Sequence, residues 1–282
     1  MIKYISRFSF VFIAVILFTS FRGNAQYYYK DILSNLQLNK EFSILKNEQI
    51  KIIKLKSFED NNEPSEDFFC EKKINKSYSQ SEMISKSSIT GQALLITDYS
   101  PEGRVIKTTN NTPTITNIVQ YEYDHDGRLS MLRTLTTADG DSAGIAETHE
   151  YVYDQDGRPE KMVRKKNNVF LSTITFIKDE KGNIIEEDAT GKSNDKKYYY
   201  YYDESNRLTD VVHFNERAQR LLPDYMYEYN ELNLPGQIIS IDETASNYLI
   251  WKYAYNDKNL PEIQKCFSKE KRLLGTIEYE YQ

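Results

Sequence analysis

The sequence has few of the residues that catalytic and metal sites most often use. Its 282 residues include two cysteines and three histidines, His125, His149 and His213. No two of these histidines have the spacing of a metal-ligand pair. A Cys-His nucleophile pattern and a glycine-rich phosphate loop are also missing. The sequence therefore predicts no metal, no other cofactor and no enzyme activity.

Clusters of basic residues are equally scarce. The net charge is −6, and the basic runs at 164–166 (RKK) and 196–197 are short and interrupted by polar or acidic residues. Proteins that bind nucleic acid need grouped Lys and Arg side chains to contact phosphates. The composition therefore excludes a nucleic-acid partner, and we interpret the basic runs as solvated strand ends.

Only one long apolar run is present, and it lies at the N-terminus. Lys3 and Arg7 precede the run at 8–18 (FSFVFIAVILF), and Gly23 and Ala25 follow it. This pattern predicts a signal peptide over residues 1–25 with cleavage after Ala25, and an uncleaved anchor is the alternative. Since no cysteine is near that point to carry a lipid, we expect a secreted or periplasmic protein without a membrane span after cleavage.

The two cysteines, Cys70 and Cys266, would enter an oxidising compartment. A disulfide between them would join the first part of the fold to the last and could stabilise it by about 5 kcal/mol. Two separate buried thiols are the alternative.

Tyrosine is abundant: there are 23 tyrosines in a chain whose mean hydropathy is −0.65. Many belong to a phrase repeated every 24 to 30 residues, the length of two strands with their connections. Its copies are TDYSPEGRV from Thr97, YEYDHDGRL from Tyr121, YVYDQDGRP from Tyr151, FIKDEKGNI from Phe176, YYYDESNRL from Tyr200, YEYNELNLP from Tyr227, YAYNDKNLP from Tyr253 and a truncated YEYQ from Tyr279.

The fourth and seventh positions of the phrase predict a turn. Asp or Asn at the fourth position accepts hydrogen bonds from the following backbone, and Gly or Asn at the seventh tolerates a positive φ. Together they indicate a type I turn closed by a G1 bulge, which makes each repeat a β-hairpin. The best-defined turn residues are Asp124, Gly127, Asp154, Gly157, Asp179, Gly182, Asp203 and Asn206.

The links between repeats are short and favour antiparallel neighbours. We therefore predict an all-β fold in which about seven hairpins over residues 96–282 form one antiparallel meander, extended or curled. Apolar spacing from Asp31 to Glu48 predicts a short helix. Residues 26–95 are expected to cap the sheet edge. Whether the sheet closes is left open.

The phrase YxYDxxGRL resembles the YD repeat of the RHS-repeat family, whose hairpins form a long curving sheet. Tyr121, Tyr123, Asp124, Gly127 and Arg128 match the motif, as do the equivalent residues from Tyr151. The resemblance covers about residues 97–281 and implies carbohydrate or surface binding. Nothing like the self-cleaving segment and toxic domain of the large members follows Tyr281, so we expect a small, free-standing relative.

Two short motifs have simpler explanations than chemistry. GDSAG at 140–144 fits G-x-S-x-G, but a nucleophile elbow at Ser142 needs an apolar strand before it and a helix after it. The doublets that begin at Asp124 and Asp154 resemble the start of a calcium loop, yet the later acidic ligands are missing. We interpret the first as a loop between hairpins and the doublets as turns, with weak surface calcium as the alternative.

The tyrosines could stack on sugar rings or form structural ladders across strands, and we favour ladders. If any of them bind, Tyr199, Tyr200 and Tyr201 are the candidates, because consecutive residues in a strand face both sides of a sheet. We expect a non-enzymatic protein of the bacterial envelope with a binding or structural role, whose partner is a glycan or an envelope protein. Alternatives are an accessory or immunity-type protein for a secreted partner and an envelope hydrolase.

Overall fold

Eighteen antiparallel strands and one helix make up the described part of the chain. The structure is a computed structural model that describes residues 27–88, 90–140, 143–191, 196–216, 218–242 and 247–282. The predicted signal peptide and Ser142 lie outside these residues. The elements are α1 (Tyr29–Asn47), β1 (Ile52–Glu59), β2 (Phe69–Ile74), β3 (Gln80–Ser87), β4 (Gly91–Tyr99), β5 (Val105–Asn111), β6 (Ile115–Tyr123), β7 (Leu129–Ala138), β8 (Ile145–Tyr153), β9 (Pro159–Lys166), β10 (Val169–Lys178), β11 (Ile184–Gly191), β12 (Tyr198–Tyr202), β13 (Leu208–Asn215), β14 (Arg220–Tyr229), β15 (Pro235–Asp242), β16 (Asn247–Tyr255), β17 (Pro261–Ser268) and β18 (Leu273–Tyr281).

The sheet closes on itself into a barrel. Each strand pairs with the next along the chain, and β1 pairs with β18 from Ile53 opposite Tyr281 to Glu59 opposite Gly275. The predicted all-β fold of repeated antiparallel hairpins is confirmed, and the open question of closure is answered. The region predicted as a cap provides α1, β1 to β3 and the start of β4. Because β1 and β18 pair with each other, neither leaves its backbone groups unpaired at a sheet edge.

The helix lies within the ring of strands. Its side chains reach inward-facing residues on opposite sides of the barrel: Phe42 stacks on Tyr99 of β4 with ring centroids 3.5 Å apart, and Lys30 Nζ lies 5.6 Å from the ring centroid of Tyr225 of β14. Near its end, Lys46 donates to the carbonyl of Pro101 in a repeat turn. The C-terminal end of α1 therefore lies near the end of the barrel that carries the repeat turns.

The repeat turn has the predicted geometry. In the second copy, Asp124 Oδ1 accepts the N–H groups of Asp126 and Arg128 at 3.0 and 2.9 Å, and Gly127 has φ +79°. The strand register shifts by one residue before the turn, at Glu122 and Tyr123. Asn206, Asn233 and Asn259 replace glycine at the same position in later copies, with φ values of 59° to 60°.

The tyrosine at the third position of the phrase has a role that the sequence pattern did not show. Its hydroxyl donates to a backbone carbonyl of the preceding hairpin, as Tyr153 does to Leu129 at 2.7 Å. The same bond recurs from Tyr123, Tyr202, Tyr229, Tyr255 and Tyr281. The arginine of the preceding copy covers this ring, with Arg128 4.7 Å from the Tyr153 centroid. The repeated residues thus join each hairpin to the next.

Candidate binding surface on the outer face

The barrel interior contains a buried ionic network between α1, β8 and β9. The imidazole of His149 contacts Asp31 Oδ2 through Nδ1 at 2.6 Å and Glu147 Oε1 through Nε2 at 2.9 Å. Arg164 Nε donates to the same Glu147 oxygen, and the Tyr151 hydroxyl donates to Asp31, each at 2.7 Å. Burial opposes the charge on His149, but the two carboxylates outweigh it and raise its pKa to about 9.

The network also affects the second carboxylate. Burial would raise the pKa of Glu147, but His149 and Arg164 lower it to about 2. His149 is therefore cationic at neutral pH, held between the carboxyl groups of Asp31 and Glu147. We interpret this group as an ionic lock that fixes the first turn of α1 to the barrel wall.

A second buried carboxylate, Glu187 on β11, holds the start of the helix. It accepts the backbone N–H groups of Tyr28, at 2.9 Å, and Tyr29, and the hydroxyl of Tyr200 at 2.6 Å. Burial raises its pKa to about 7, although the three donors favour the charged form. Because these interior groups bond to α1 and to the residue just before it, they hold the helix in the lumen.

The structure separates the three tyrosines that were candidates for ligand binding. Tyr200 faces inward and is 2% exposed, where it bonds Glu187, so it cannot meet an external ligand. Tyr199 and Tyr201 project from the outer face, and Tyr201 is 48% exposed. Asp210 of β13 lies directly opposite Tyr201.

The outer face of β14 to β17 carries an apolar row. Met226, Ile239, Ile250 and Phe267 lie directly opposite one another on four successive strands. Residues paired in this way project from the same face of the sheet. Because adjacent strands are about 4.8 Å apart, the row is roughly 14 Å long.

This row forms the floor of an apolar groove, which we define by Met226, Ile239, Ile241, Tyr248, Ile250 and Phe267. The groove has a volume of about 650 Å³, and Lys252 and Lys271 also line it. Ile250 is only 7% exposed although it lies on the outer face of the barrel wall, so its neighbours enclose it. A concave apolar site of this size is in the range of small-molecule sites.

A polar row borders the groove floor on the side of the repeat turns. It consists of Glu228, Gln237, Lys252 and Lys265, which again oppose one another on β14 to β17. Glu228 accepts a hydrogen bond from Gln237 at 2.7 Å. Lys252 lies opposite Lys265, and its Nζ is 5.8 Å from the ring centroid of Phe267.

Other predicted residues do not converge on a site. Cys70 on β2 and Cys266 on β17 are separate buried thiols in the structure, and burial raises their pKa values to about 11 and about 12. The carboxylates of Asp124 and Asp126 both pair with Arg128, which accounts for this doublet by turn chemistry. Within the described ranges, no group of three or more His, Cys, Asp or Glu residues could hold a metal ion.

The sequence contains a signal for the groove that lies outside the repeated phrase. Ile238 and Ile239 are consecutive, as are Ile250 and Trp251, and in each pair one residue faces inward while the other faces outward. A strand that is apolar on both faces needs cover on both. The interior covers one face, so the outer one remains available.

Similarity to known proteins is found at the level of structure. No protein-family model matches it, and no curated protein matches it by sequence. Among solved structures, a porin-like protein from Bacteroides uniformis is 10% identical, with 83% of this chain and 96% of that one covered and a TM-score of 0.38. A porin-like protein from Bacteroides vulgatus is 12% identical, with 71% and 97% covered and a TM-score of 0.33.

A third similar structure is the complex TcdB2-TccC3-TEV. It is 10% identical over 75% of this chain with a TM-score of 0.34, and the match spans 12% of that chain's length. In the part of the chain that the structure describes, no helix is long and apolar enough to cross a membrane.

Proposed function

We propose that this protein is a non-enzymatic binding protein of the bacterial cell envelope, secreted or periplasmic, whose binding surface is the apolar groove on the outer face of β14 to β17. The groove is the observation that supports a binding role. The predicted signal peptide supports the location. The YD-like repeat supports a distant kinship with the RHS-repeat family.

The architecture suits a preformed site. Backbone pairing runs around the whole ring, and α1 lies in the lumen with its C-terminal end near the repeat turns. The groove floor is thus held in place by four strands whose inner residues pack in the barrel, such as Trp251 beside Ile250. A rigid site loses little conformational freedom when its ligand binds.

The experiment compares binding of the mature chain to separated envelope fractions: polysaccharide, peptidoglycan, lipid and protein. Met226→Glu places a charge in the groove, and Ile84→Glu on the outer face of β3 is its matched control, since the two side chains are 38% and 40% exposed. We expect Met226→Glu to lose binding to one fraction while Ile84→Glu keeps it. Equal binding by both variants, or no binding by the folded protein, would instead support a structural role.

A glycan is the second candidate ligand, supported by the exposed ring of Tyr201 beside the carboxylate of Asp210. Aromatic faces stack on sugar rings, and a neighbouring carboxylate accepts bonds from sugar hydroxyls. On a glycan array, the double variant Tyr199→Ser/Tyr201→Ser should lose binding that Phe170→Ser, also an exposed aromatic change, retains. A glycan bound equally by both variants would exclude this platform.

A further inference from the structure

We propose that the apolar groove binds a soluble anionic amphiphile, a molecule with one aliphatic chain and a carboxylate head, with the chain on the groove floor and the head between Lys252 and Lys265. This inference rests on the proposed function, because it names the ligand class of the same groove. Its first support is the lining, which combines aliphatic side chains with the cationic Lys252 and Lys271, and Lys265 lies directly opposite Lys252 on the neighbouring strand.

The floor suits a flexible chain better than a sugar. Ile239 and Ile250 provide its centre, with Met226 and Phe267 on either side. These side chains offer no hydrogen-bond donors to sugar hydroxyls. An aliphatic chain laid along the roughly 14 Å row removes its own apolar surface and that of the floor from water.

The two lysines supply the charge complementarity. Lys252 and Lys265 are directly opposed across β16 and β17, where like charges are destabilising. Among the described residues, no carboxylate lies within 4.0 Å of either Nζ. By contrast, Lys54, Lys56 and Lys73, on the outer face of β1 and β2, all have a carboxylate within that distance. A bound anion relieves the repulsion between Lys252 and Lys265.

The groove's surroundings favour a free amphiphile over a membrane surface. Elsewhere the outer wall carries ion pairs, for example Lys54 with Glu71 and Lys165 with Glu150. A bilayer would meet these charges, whereas a single chain contacts only the groove. Charged side chains are costly to bring into hydrocarbon.

The test uses isothermal titration of the mature protein with dodecanoate below its micelle concentration, beside dodecanol and anionic phosphatidylglycerol vesicles. We expect dodecanoate to bind more tightly than dodecanol. We also expect the protein to bind the anionic vesicles no better than it binds neutral vesicles. Lys252→Gln/Lys265→Gln should weaken dodecanoate binding on the order of tenfold, as loss of charged hydrogen bonds implies. Lys54→Gln/Lys73→Gln is the matched control and should bind as the natural sequence does.

The outcomes separate this inference from the proposed function. If Met226→Glu loses binding to an envelope fraction but dodecanoate does not bind, the groove functions and the ligand class is wrong. Dodecanoate binding equal to dodecanol, or unaffected by the lysine changes, would also overturn the inference, as would binding to vesicles only. If Met226→Glu changes neither envelope binding nor dodecanoate binding, the groove itself is not a site.

Discussion

Replacing His149 with Gln tests whether the ionic lock holds the helix in the barrel. His149 is buried between Asp31 and Glu147, and both contacts are shorter than 3.0 Å. Glutamine is similar in length but carries no charge at any pH. The variant therefore removes the cation from between two carboxylates.

The pKa of His149 gives the magnitude. It rises from an ordinary 6.5 to about 9 in the folded protein, which corresponds to about 3 kcal/mol of stability. Because the folded pKa is the higher one, the contribution is full below pH 6.5 and is lost as the pH rises through 9. The lowered pKa of Glu147 reflects the same contact from the acid side, so the two effects are not added.

Urea unfolding at pH 6.5 and pH 9.5, followed by the fluorescence of the single Trp251, measures the effect. We expect the natural protein to lose about 3 kcal/mol more of its unfolding free energy over this interval than His149→Gln does. Glu187 and the other titrating groups are common to both proteins, so the difference between the two profiles isolates His149. Parallel profiles would refute the reasoning, since they would show that the imidazole gains nothing from its two carboxylates.

Three further predictions address the buried face of α1, the repeat turn and the two cysteines. Phe42→Ala should reduce stability by roughly 3 to 5 kcal/mol, because the ring is 2% exposed and stacks on Tyr99, whereas Leu36→Ala, at a 61% exposed position of the same helix, should change urea unfolding little. Gly127→Ala should reduce stability by about 1 kcal/mol more than Gly140→Ala. Both glycines have φ near +79°, but only at 127 would the new Cβ meet a side chain, the guanidinium of Arg104, which would then have to move away from the Tyr123 ring. Comparable urea midpoints for the two variants would contradict this. Mass spectrometry without reductant should find Cys70 and Cys266 unalkylated by iodoacetamide in the native protein at pH 8 and both alkylated in urea, whereas a disulfide would leave both unmodified throughout.

Repeat chemistry made much of the fold predictable. A type I turn with a positive φ at its end requires Asp or Asn followed by Gly or Asn, so the positions of Asp124 and Gly127 located the hairpins. The partners of the repeated side chains were not predictable in the same way. The hydroxyl of Tyr153 and the guanidinium of Arg128 act across neighbouring hairpins, and such contacts depend on register between strands.

The candidate site was less predictable than the fold. Tyr199, Tyr200 and Tyr201 were correctly expected to face both sides of a sheet, but the sequence could not say which of them faces the helix. The groove consists of single residues from four strands, far apart along the chain. Only the pairing of Met226, Ile239, Ile250 and Phe267 brings them into one row.

The sequence by itself determined the hairpin as the building unit, its turn geometry and the antiparallel order of successive strands, because these depend on contacts between residues close in the chain. The tertiary structure alone decided that the sheet closes, that α1 enters the lumen and that one stretch of the outer wall becomes a groove. Closure depends on β1 meeting β18, more than 200 residues apart. Contacts of that range are set by the summed twist and register of all eighteen strands, which no local pattern encodes.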